Sequence, residues 1–282
     1  MSREQDVEEP RVLAHDARWL VLDKPAWLAT TSPDASEPTL ARWARRYASG
    51  AEIVHPTSRL DVGVTGICVF ALTREANEAQ LAARAAGTYS RTYVALAGMT
   101  TTANPPPRPI DARPLSPQRG ERQGEGPTSG ASGAWEQSIA VHPRDPRLRA
   151  VVEPGRKPRP PVMEARTEWR IVEVTSGVAL LALRPRTGRT HQLRVHAAAA
   201  GMALLGDAAY GGLRRVTLAD GTVIGLRRPA LHCARVRIDC AGDIGTLDVA
   251  AAVPADLRDP WRALGGRDDA WDDARGGQPL RA

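Results

Sequence analysis

The 282-residue sequence is poor in aromatic side chains and has no long apolar run. Only 4% of its residues are Phe, Trp or Tyr, too few for a single-strand stacking surface built from many aromatic rings. No stretch reaches the roughly 18 apolar residues that a membrane helix requires. The N-terminal segment MSREQDVEEP is charged and lacks the apolar core of a secretory signal, so we expect a cytoplasmic protein without membrane contact.

Cysteine is also scarce. Cys68, Cys233 and Cys240 are odd in number and form no CxxC pair. This spacing is typical of reduced, mostly buried thiols rather than a disulfide framework or a zinc site.

Positive charge, by contrast, is plentiful. The chain has 38 Lys and Arg against 32 Asp and Glu, a net charge of +6, and a pI near 9.8. Most of the cations are arginine, whose planar guanidinium suits phosphates and base edges. Nucleotide bias in the encoding genome also raises arginine content, so charge alone leaves nucleic-acid binding undecided.

Hydrophobic periodicity and turn residues indicate many strands and few helices. Strands are predicted within 11–23, in the second half of 53–73, and over 91–98, 165–174, 178–184, 203–205, 231–239 and 245–250. Helices are predicted over 38–47, over 74–86, and from about Thr190 to Gly201. This order favours an α+β fold built on a mixed, largely antiparallel β-sheet with a few flanking helices.

Composition changes sharply between about residues 100 and 164. Residues 104–133 are rich in Pro, Gly, Ser and Arg and can bury little apolar surface, which predicts a mobile insertion, with a hairpin near 135–152. We therefore expect a flexible terminus over 1–10, one domain over 11–263 that contains the insertion, and a polar, frayed tail over 264–282.

Three segments carry polar residues that strand or helix patterning does not require. In SRLDVGVTG (58–66), Arg59 and Asp61 stand just before an apolar strand, and Gly63 and Gly66 allow close backbone approach. Without further context, a surface Arg–Asp pair in a turn is the favoured interpretation of this segment.

The second segment, 184–212, groups basic residues around a predicted helix start, where free N–H groups favour phosphate. These residues are Arg186, Arg189, His191, Arg194 and His196. A solvated basic helix face is the alternative. The two histidines are five residues apart, not four, and no acidic ligand accompanies them, so a metal site is not expected. The third segment is SRTYVALAG (90–98), where Tyr93 on a strand is more often a core residue than a catalytic one.

In this order the segments resemble the RluA family of pseudouridine synthases. SRLDVGVTGICVFALT resembles the family's catalytic-aspartate loop, HRLD-x-x-[ST]-[ST]-G, with its following strand. RTYVALAG resembles the K/R-x-Y-x-A strand, and TGRTHQLRVHAAAAGMALLGDAAYG the T-G-R-x-H-Q-[IL]-R-x-H…G…[LI]-x-G-D-x-x-Y-G signature. WLVLDKPAWLAT and ALHCARV are similar to the K-P-x-G-L turn and the L-H-A strand. The resemblance spans about residues 11–250 outside the insertion.

Some positions depart from the family pattern. Ser58 replaces the usual His, Trp27 replaces the Gly expected after Lys24-Pro25-Ala26, and Val62-Gly63-Val64 replaces a common R-D-T run. These departures bear on the substrate more than on the chemistry. About ten residues precede the first predicted strand, so we expect no S4-type RNA-binding domain ahead of it.

The resemblance implies an isomerase that converts uridine to pseudouridine in structured ribosomal or transfer RNA, with 11–263 as the catalytic domain. The base would be flipped into a pocket. No group is oxidised or donated, so no metal or cofactor is implied, and we expect a monomer. Asp61 is then the carboxylate that attacks the sugar or assists loss of the C2′ proton.

The remaining roles also follow from the resemblance. Arg194 would hold Asp61 ionised, and Tyr93 would lie against the uracil. The implied substrate-binding residues are Arg59, Leu193, Arg186, Arg189 and His191, with the arginines as candidates for phosphate contacts. A non-catalytic RNA-binding scaffold or chaperone on the same fold is the main alternative. A hydrolase has less support, because no G-x-S-x-G motif is present.

Overall fold

The computed structural model describes residues 8–99, 128–155, 157–218 and 220–276 of the chain. The strands in these residues are β1 (Arg11–His15), β2 (Trp19–Lys24), β3 (His55–Pro56), β4 (Thr65–Ala71), β5 (Tyr89–Gly98), β6 (Ser132–Trp135), β7 (Ile139–Val141), β8 (Arg149–Val151), β9 (Arg159–Met163), β10 (Thr167–Thr175), β11 (Val178–Pro185), β12 (Arg215–Thr217), β13 (Val223–Gly225), β14 (Leu231–Asp239) and β15 (Thr246–Ala250). The helices are α1 (Leu40–Tyr47), α2 (Arg74–Ala85), α3 (Gln192–Ala199), α4 (Ala255–Ala263) and α5 (Ala270–Gly276). Within the described ranges, no helix is long and apolar enough to cross a membrane.

The α+β fold with a mixed, largely antiparallel sheet, predicted from the sequence, is confirmed. The chain divides into two compact units. The first contains the described residues of Met1–Thr92 together with His232–Val253. The second contains the described residues of Tyr93–Leu231 and Pro254–Ala282. Both units contain residues of 11–263, the range that the sequence predicted as one domain.

In the first unit, β4 lies at the centre of the strand pairing. It pairs antiparallel with β2 and parallel with β14, and β1 and β15 extend the two sides. All seven residues of β4 are buried, and its apolar run over 67–71 is typical of a strand covered on both faces. Helix α2 begins directly after β4, where the Thr73 side chain accepts a hydrogen bond from the Ala76 N–H and caps the helix.

In the second unit, β11 pairs antiparallel with both β5 and β10, and β10 also pairs with β6. Strands β7, β8 and β9 form a small separate sheet. The core of β11 is the apolar run from Val178 to Leu183, and Trp135 of β6 stacks on Trp169 of β10 with ring centroids 5.6 Å apart.

The predicted insertion overlaps this pairing. Ser132 and Gly133 lie in β6 and pair with β10, so the last residues of 104–133 are part of the second unit's sheet. Gly133 is suited to this position because an added Cβ would meet the Trp169 ring at 3.1 Å. Residues 100–127 of the insertion lie outside the described residues.

The C-terminal segment also differs from the prediction of a frayed tail. Residues 270–276 form α5, and Trp271 is buried with its ring centroid 6.2 Å from that of Trp261 in α4. The polar sequence around Trp271 hid this packing, because a short helix needs only one or two apolar anchors. Residues 277–282 lie outside the described part.

Two local predictions need correction. Helix α3 begins at Gln192 rather than Thr190, because His191 adopts a left-handed φ of 57° that is incompatible with a helix. Residues 203–205 do not form a strand. Leu204 makes only an isolated bridge to Ala97, since the chain turns immediately afterwards at Gly206, where φ is +77°.

Candidate active site

The Asp61 loop, residues 58–66, lies in the first unit and connects β3 to β4. Its backbone is fixed at Leu60, whose N–H donates to Thr30 Oγ1 (3.1 Å) and whose carbonyl accepts from the same hydroxyl (3.0 Å). The Val64 N–H donates to the Asp61 carbonyl (3.0 Å) and closes a turn. The Asp61 side chain remains partly exposed, and Arg59 is exposed. The loop therefore presents a carboxylate from a fixed backbone.

Lys24 stabilises the same loop through a hydrogen bond to the Val62 carbonyl. Its side chain is fully buried, and Nζ donates to the carbonyls of Pro25 (2.9 Å), Leu28 (2.7 Å) and Val62 (3.1 Å). A buried ammonium is tolerated only where polar groups replace its hydration, and these three carbonyls do so. The sequence placed Lys24 at the end of a strand and in a turn similar to K-P-x-G-L, without indicating these contacts. Its structural role depends on a hydrogen bond to the carbonyl of Val62, which is 38 residues away in sequence.

The end of the loop is held where β4 pairs with β14. Thr65 Oγ1 lies 2.9 Å from His232 Nδ1, and both residues are buried. Gly66 has a φ of +111°, and a Cβ at this position would lie 2.3 Å from the Cys233 carbonyl oxygen. Only glycine allows that approach. The small-residue turn after Asp61 is thus required by strand packing.

In the second unit, Arg194 lies at the centre of a polar cluster, which we define as Arg194, Asp207, Tyr210 and His191. The first three are buried and His191 is partly buried. Arg194 Nε and Nη2 donate to Asp207 Oδ2 (2.7 Å) and Oδ1 (2.8 Å) in a bidentate ion pair. The Tyr210 ring lies 4.9 Å from Arg194 Cζ, a cation–π contact. The Tyr210 hydroxyl hydrogen bonds His191 Nδ1 (2.8 Å) and accepts from the Arg149 N–H (3.0 Å).

Sequence reasoning named Arg194 and His191 but missed Asp207 and Tyr210. Both missed residues stand in the GDAAYG segment, which was matched as a motif without assigning their contacts. The motif had a signal that could have found them, because a buried arginine requires a carboxylate. The structure gives Asp207 as a partner of Arg194, while the expected pairing of Arg194 with Asp61 stays a prediction.

Gln192 fixes the loop that leads into α3. Its Oε1 accepts from the Thr187 hydroxyl (2.7 Å) and the Arg189 N–H (3.1 Å). Its Nε2 donates to the Arg166 carbonyl and to Thr167 Oγ1, both at 2.9 Å. One amide side chain therefore joins the TGRTHQ segment to β10.

His196, one helical turn after Gln192, is buried beside the same strand. Its Nε2–H donates to the Gln137 carbonyl (2.9 Å), and Nδ1 lies 3.0 Å from Thr167 Oγ1. Burial lowers the pKa of His196, because desolvation disfavours the charged imidazolium. His196 therefore serves as a neutral packing residue. In the described residues, no three His, Cys, Asp or Glu side chains are grouped in a way that could hold a metal.

The other predicted site residues lie in the second unit, apart from Arg59. Tyr93 is buried in β5 opposite Leu183 of β11, and Leu193 is buried in α3. Arg186, whose side chain is 40% exposed, pairs through Nε with Glu168 Oε1 (2.8 Å). Arg189 Nε donates to the Glu164 carbonyl (2.9 Å). Both arginines thus have protein partners as well as exposed surface.

Residues 18–199 match the family described as RNA pseudouridylate synthase. The chain belongs to this family. The predicted RluA-family resemblance and the enzyme class, an isomerase, are confirmed by this membership.

Individual proteins named as pseudouridine synthases are also similar to this chain. The chain is 29% identical over 271 residues to "Ribosomal large subunit pseudouridine synthase D" of Xanthomonas campestris, covering 90% of this chain and 69% of that protein. It is 35% identical to the Haemophilus ducreyi protein of the same name, over 47% of this chain and 40% of that one. The solved structure of Human RNA Pseudouridylate Synthase Domain Containing 1 has a TM-score of 0.64 at 20% identity over all of both chains, which supports the fold.

Proposed function

We propose that this protein isomerises specific uridines of structured RNA to pseudouridine and that Asp61 is its catalytic carboxylate. The observation that carries the proposal is the Asp61 loop itself. It is held by hydrogen bonds at the Leu60 backbone and at the Thr65 side chain, while Asp61 between them is partly exposed. A fixed, accessible carboxylate is what attack on, or charge stabilisation at, a sugar carbon requires.

The reaction would proceed on a base flipped out of the RNA stack. The N1–C1′ bond breaks, the uracil turns, and C5 bonds to C1′. N1 gains a proton and C5 loses one, so the atoms balance without an added reagent. Asp61 acts at C1′ or at the C2′ proton, and the ring of Tyr93 keeps the detached uracil oriented. Arg194 supplies positive charge that favours an ionised carboxylate.

RNA binding is assigned to basic and apolar residues around these groups. Arg59 enters the space that the flipped base leaves, or contacts a neighbouring phosphate, and Leu193 closes the pocket. Arg186, Arg189 and His191 contact the RNA around the target, and phosphate contacts among these position the RNA without reading its sequence. Transfer RNA and ribosomal RNA are both substrates to test. The names of the relatives favour ribosomal RNA first. Action as a monomer, a cytoplasmic location and the absence of a cofactor remain predictions.

The test is release of tritium from RNA labelled at uracil C5, in the presence of a metal chelator and without added cofactor. We expect release by the wild-type protein and none by Asp61→Asn, a loss of at least roughly four orders of magnitude. The variant keeps the size of the side chain but removes its charge. Folding and RNA binding should be unchanged, because the arginines are untouched.

Asp239→Asn is the matched control. Asp239 is an exposed carboxylate of the same unit, at the end of β14 farthest from His232 and the loop. We expect it to retain wild-type activity. RNA binding without tritium release by the wild type would favour the scaffold alternative, and tritium release with chain cleavage or free uracil would favour a hydrolase. Equal activity of wild type and Asp61→Asn would refute the role of Asp61.

A further inference from the structure

Trp27 stands out in the first unit because a bulky side chain occupies a strained backbone position and faces solvent. Its φ is +66°, a region that L side chains rarely adopt, and its side chain is 53% exposed. Glycine would relax the backbone there. Burial cannot explain the tryptophan, because half of its surface is outside the core. An observed backbone outlier of this kind is grounds for a functional hypothesis.

The Trp27 backbone is joined to the Asp61 loop. The Trp27 N–H donates to the Val62 carbonyl (2.8 Å), and Lys24 Nζ donates to the carbonyls of Val62, Pro25 and Leu28. These bonds hold the turn around Trp27 against the residue that follows Asp61. The Val62 side chain is also exposed, at 47%. Two exposed apolar residues therefore stand on a fixed backbone, one of them next to Asp61 in sequence and the other hydrogen bonded to that neighbour.

We propose that Trp27 is a substrate-recognition residue whose indole stacks on an RNA base next to the target uridine. This inference rests on the proposed function of Asp61. An indole offers a large π surface to any base, and stacking of this kind tolerates sequence variation. When a target uridine leaves the stack, its neighbours expose their faces, and an exposed ring whose backbone is bonded to the Asp61 loop can cover one. Exposed Arg59 in the same loop suits the adjoining phosphates.

The experiment compares wild type, Trp27→Gly, Trp27→Phe and Leu81→Ala. Leu81 of α2 is the matched control, since it lies in the same unit and is also 53% exposed. The probes are large-subunit ribosomal RNA and transfer RNA, each transcribed with tritium at uracil C5. We expect Trp27→Gly to raise KM about tenfold, with kcat changed much less, and Trp27→Phe to recover most of the loss. Leu81→Ala should match wild type.

A stability measurement separates recognition from folding. Trp27→Gly should unfold at a urea concentration close to that of wild type, because the relief of the positive φ by glycine offsets the loss of the contacts made by the buried part of the indole. An unchanged KM in Trp27→Gly, a clear loss of stability, or an equal KM effect of Leu81→Ala would each overturn the proposal. If the wild type releases no tritium, the proposed function fails. In that case, filter-binding dissociation constants of the same variants test RNA recognition by Trp27 separately. A dissociation constant unchanged by Trp27→Gly would rule out this recognition.

Discussion

The Asp61 loop and the Arg194 cluster are stabilised by different kinds of interaction. The loop is held by backbone carbonyls, the Thr30 hydroxyl and the Thr65–His232 bond, and its carboxylate stays partly exposed. In the cluster, the charged groups themselves make the stabilising contact, because the buried Arg194 guanidinium forms a bidentate ion pair with Asp207. The Asp61 loop is thus fixed mainly through backbone and hydroxyl hydrogen bonds, whereas the Arg194 cluster is fixed through its charged side chains.

The largest expected effect comes from breaking the ion pair. Asp207→Ala removes the carboxylate from a buried guanidinium, which should lower the free energy of unfolding by about 3–5 kcal/mol in urea denaturation. Asp248→Ala is the control, because its pairs with Arg235 and Arg237 are considerably more exposed and should cost at most about 1 kcal/mol each. Equal losses in the two variants would show that the Arg194 pair does not stabilise the fold.

Lys24→Met tests whether the Asp61 loop depends on its buried support. The variant leaves three carbonyls without their ammonium donor, and unfolding free energy should fall by about 1–3 kcal/mol. Tritium release should drop while RNA affinity is retained, because the loop loses its geometry and not its charge. Lys157→Met, at an exposed position, should change neither the unfolding free energy nor the tritium release. Full activity of Lys24→Met would contradict the supporting role.

Acid should weaken the helix that carries Arg194. The lowered pKa of His196 means that the folded state favours the neutral ring, whereas the unfolded chain takes up a proton near the ordinary pKa of about 6.5. This contribution to stability is therefore present above about pH 6.5 and is lost as pH falls below it, by at most about 1.4 kcal/mol per pH unit.

Urea denaturation from pH 7.5 to pH 5 measures this dependence. His196→Gln should flatten the decline in unfolding free energy, while His55→Gln, at an exposed position in β3, should keep it. The same decline in wild type and His196→Gln would assign the acid sensitivity to other groups.

The smallest expected effect is on the salt dependence of RNA binding, through the exposed residue Arg186 of the second unit. Arg186→Ala should flatten the slope of log K against log salt for RNA binding by about 0.7–0.9, the contribution of one phosphate contact. Because Glu168, whose side chain is only 7% exposed, loses its partner, the free energy of unfolding should also fall. The fall should be smaller than in Asp207→Ala, since solvent can reach the site of the 40% exposed Arg186. Arg262→Ala, in α4, serves as the control. A slope unchanged by Arg186→Ala would leave that arginine with only its structural pairing to Glu168.

Several elements followed from local pattern alone. The unbroken apolar run of β4 and the alanine-rich α2 were predicted close to their observed ends, because strand and helix periodicity are properties of neighbouring residues. The same holds for β14. Short elements whose stability depends on distant contacts were missed. Helix α5 needs Trp271 to pack on Trp261, and β6 needs the edge of β10.

The sequence by itself determined the family, the fold class and the predicted set of reacting residues, because these are carried by ordered motifs such as SRLD and TGRTHQLR. Only the tertiary structure decided how each charge is held. Asp207 pairs with Arg194 across thirteen positions, and Lys24 reaches Val62 across thirty-eight. Hydrogen bonds and ion pairs depend on distances of about 3 Å that chain folding sets, and no local pattern encodes them.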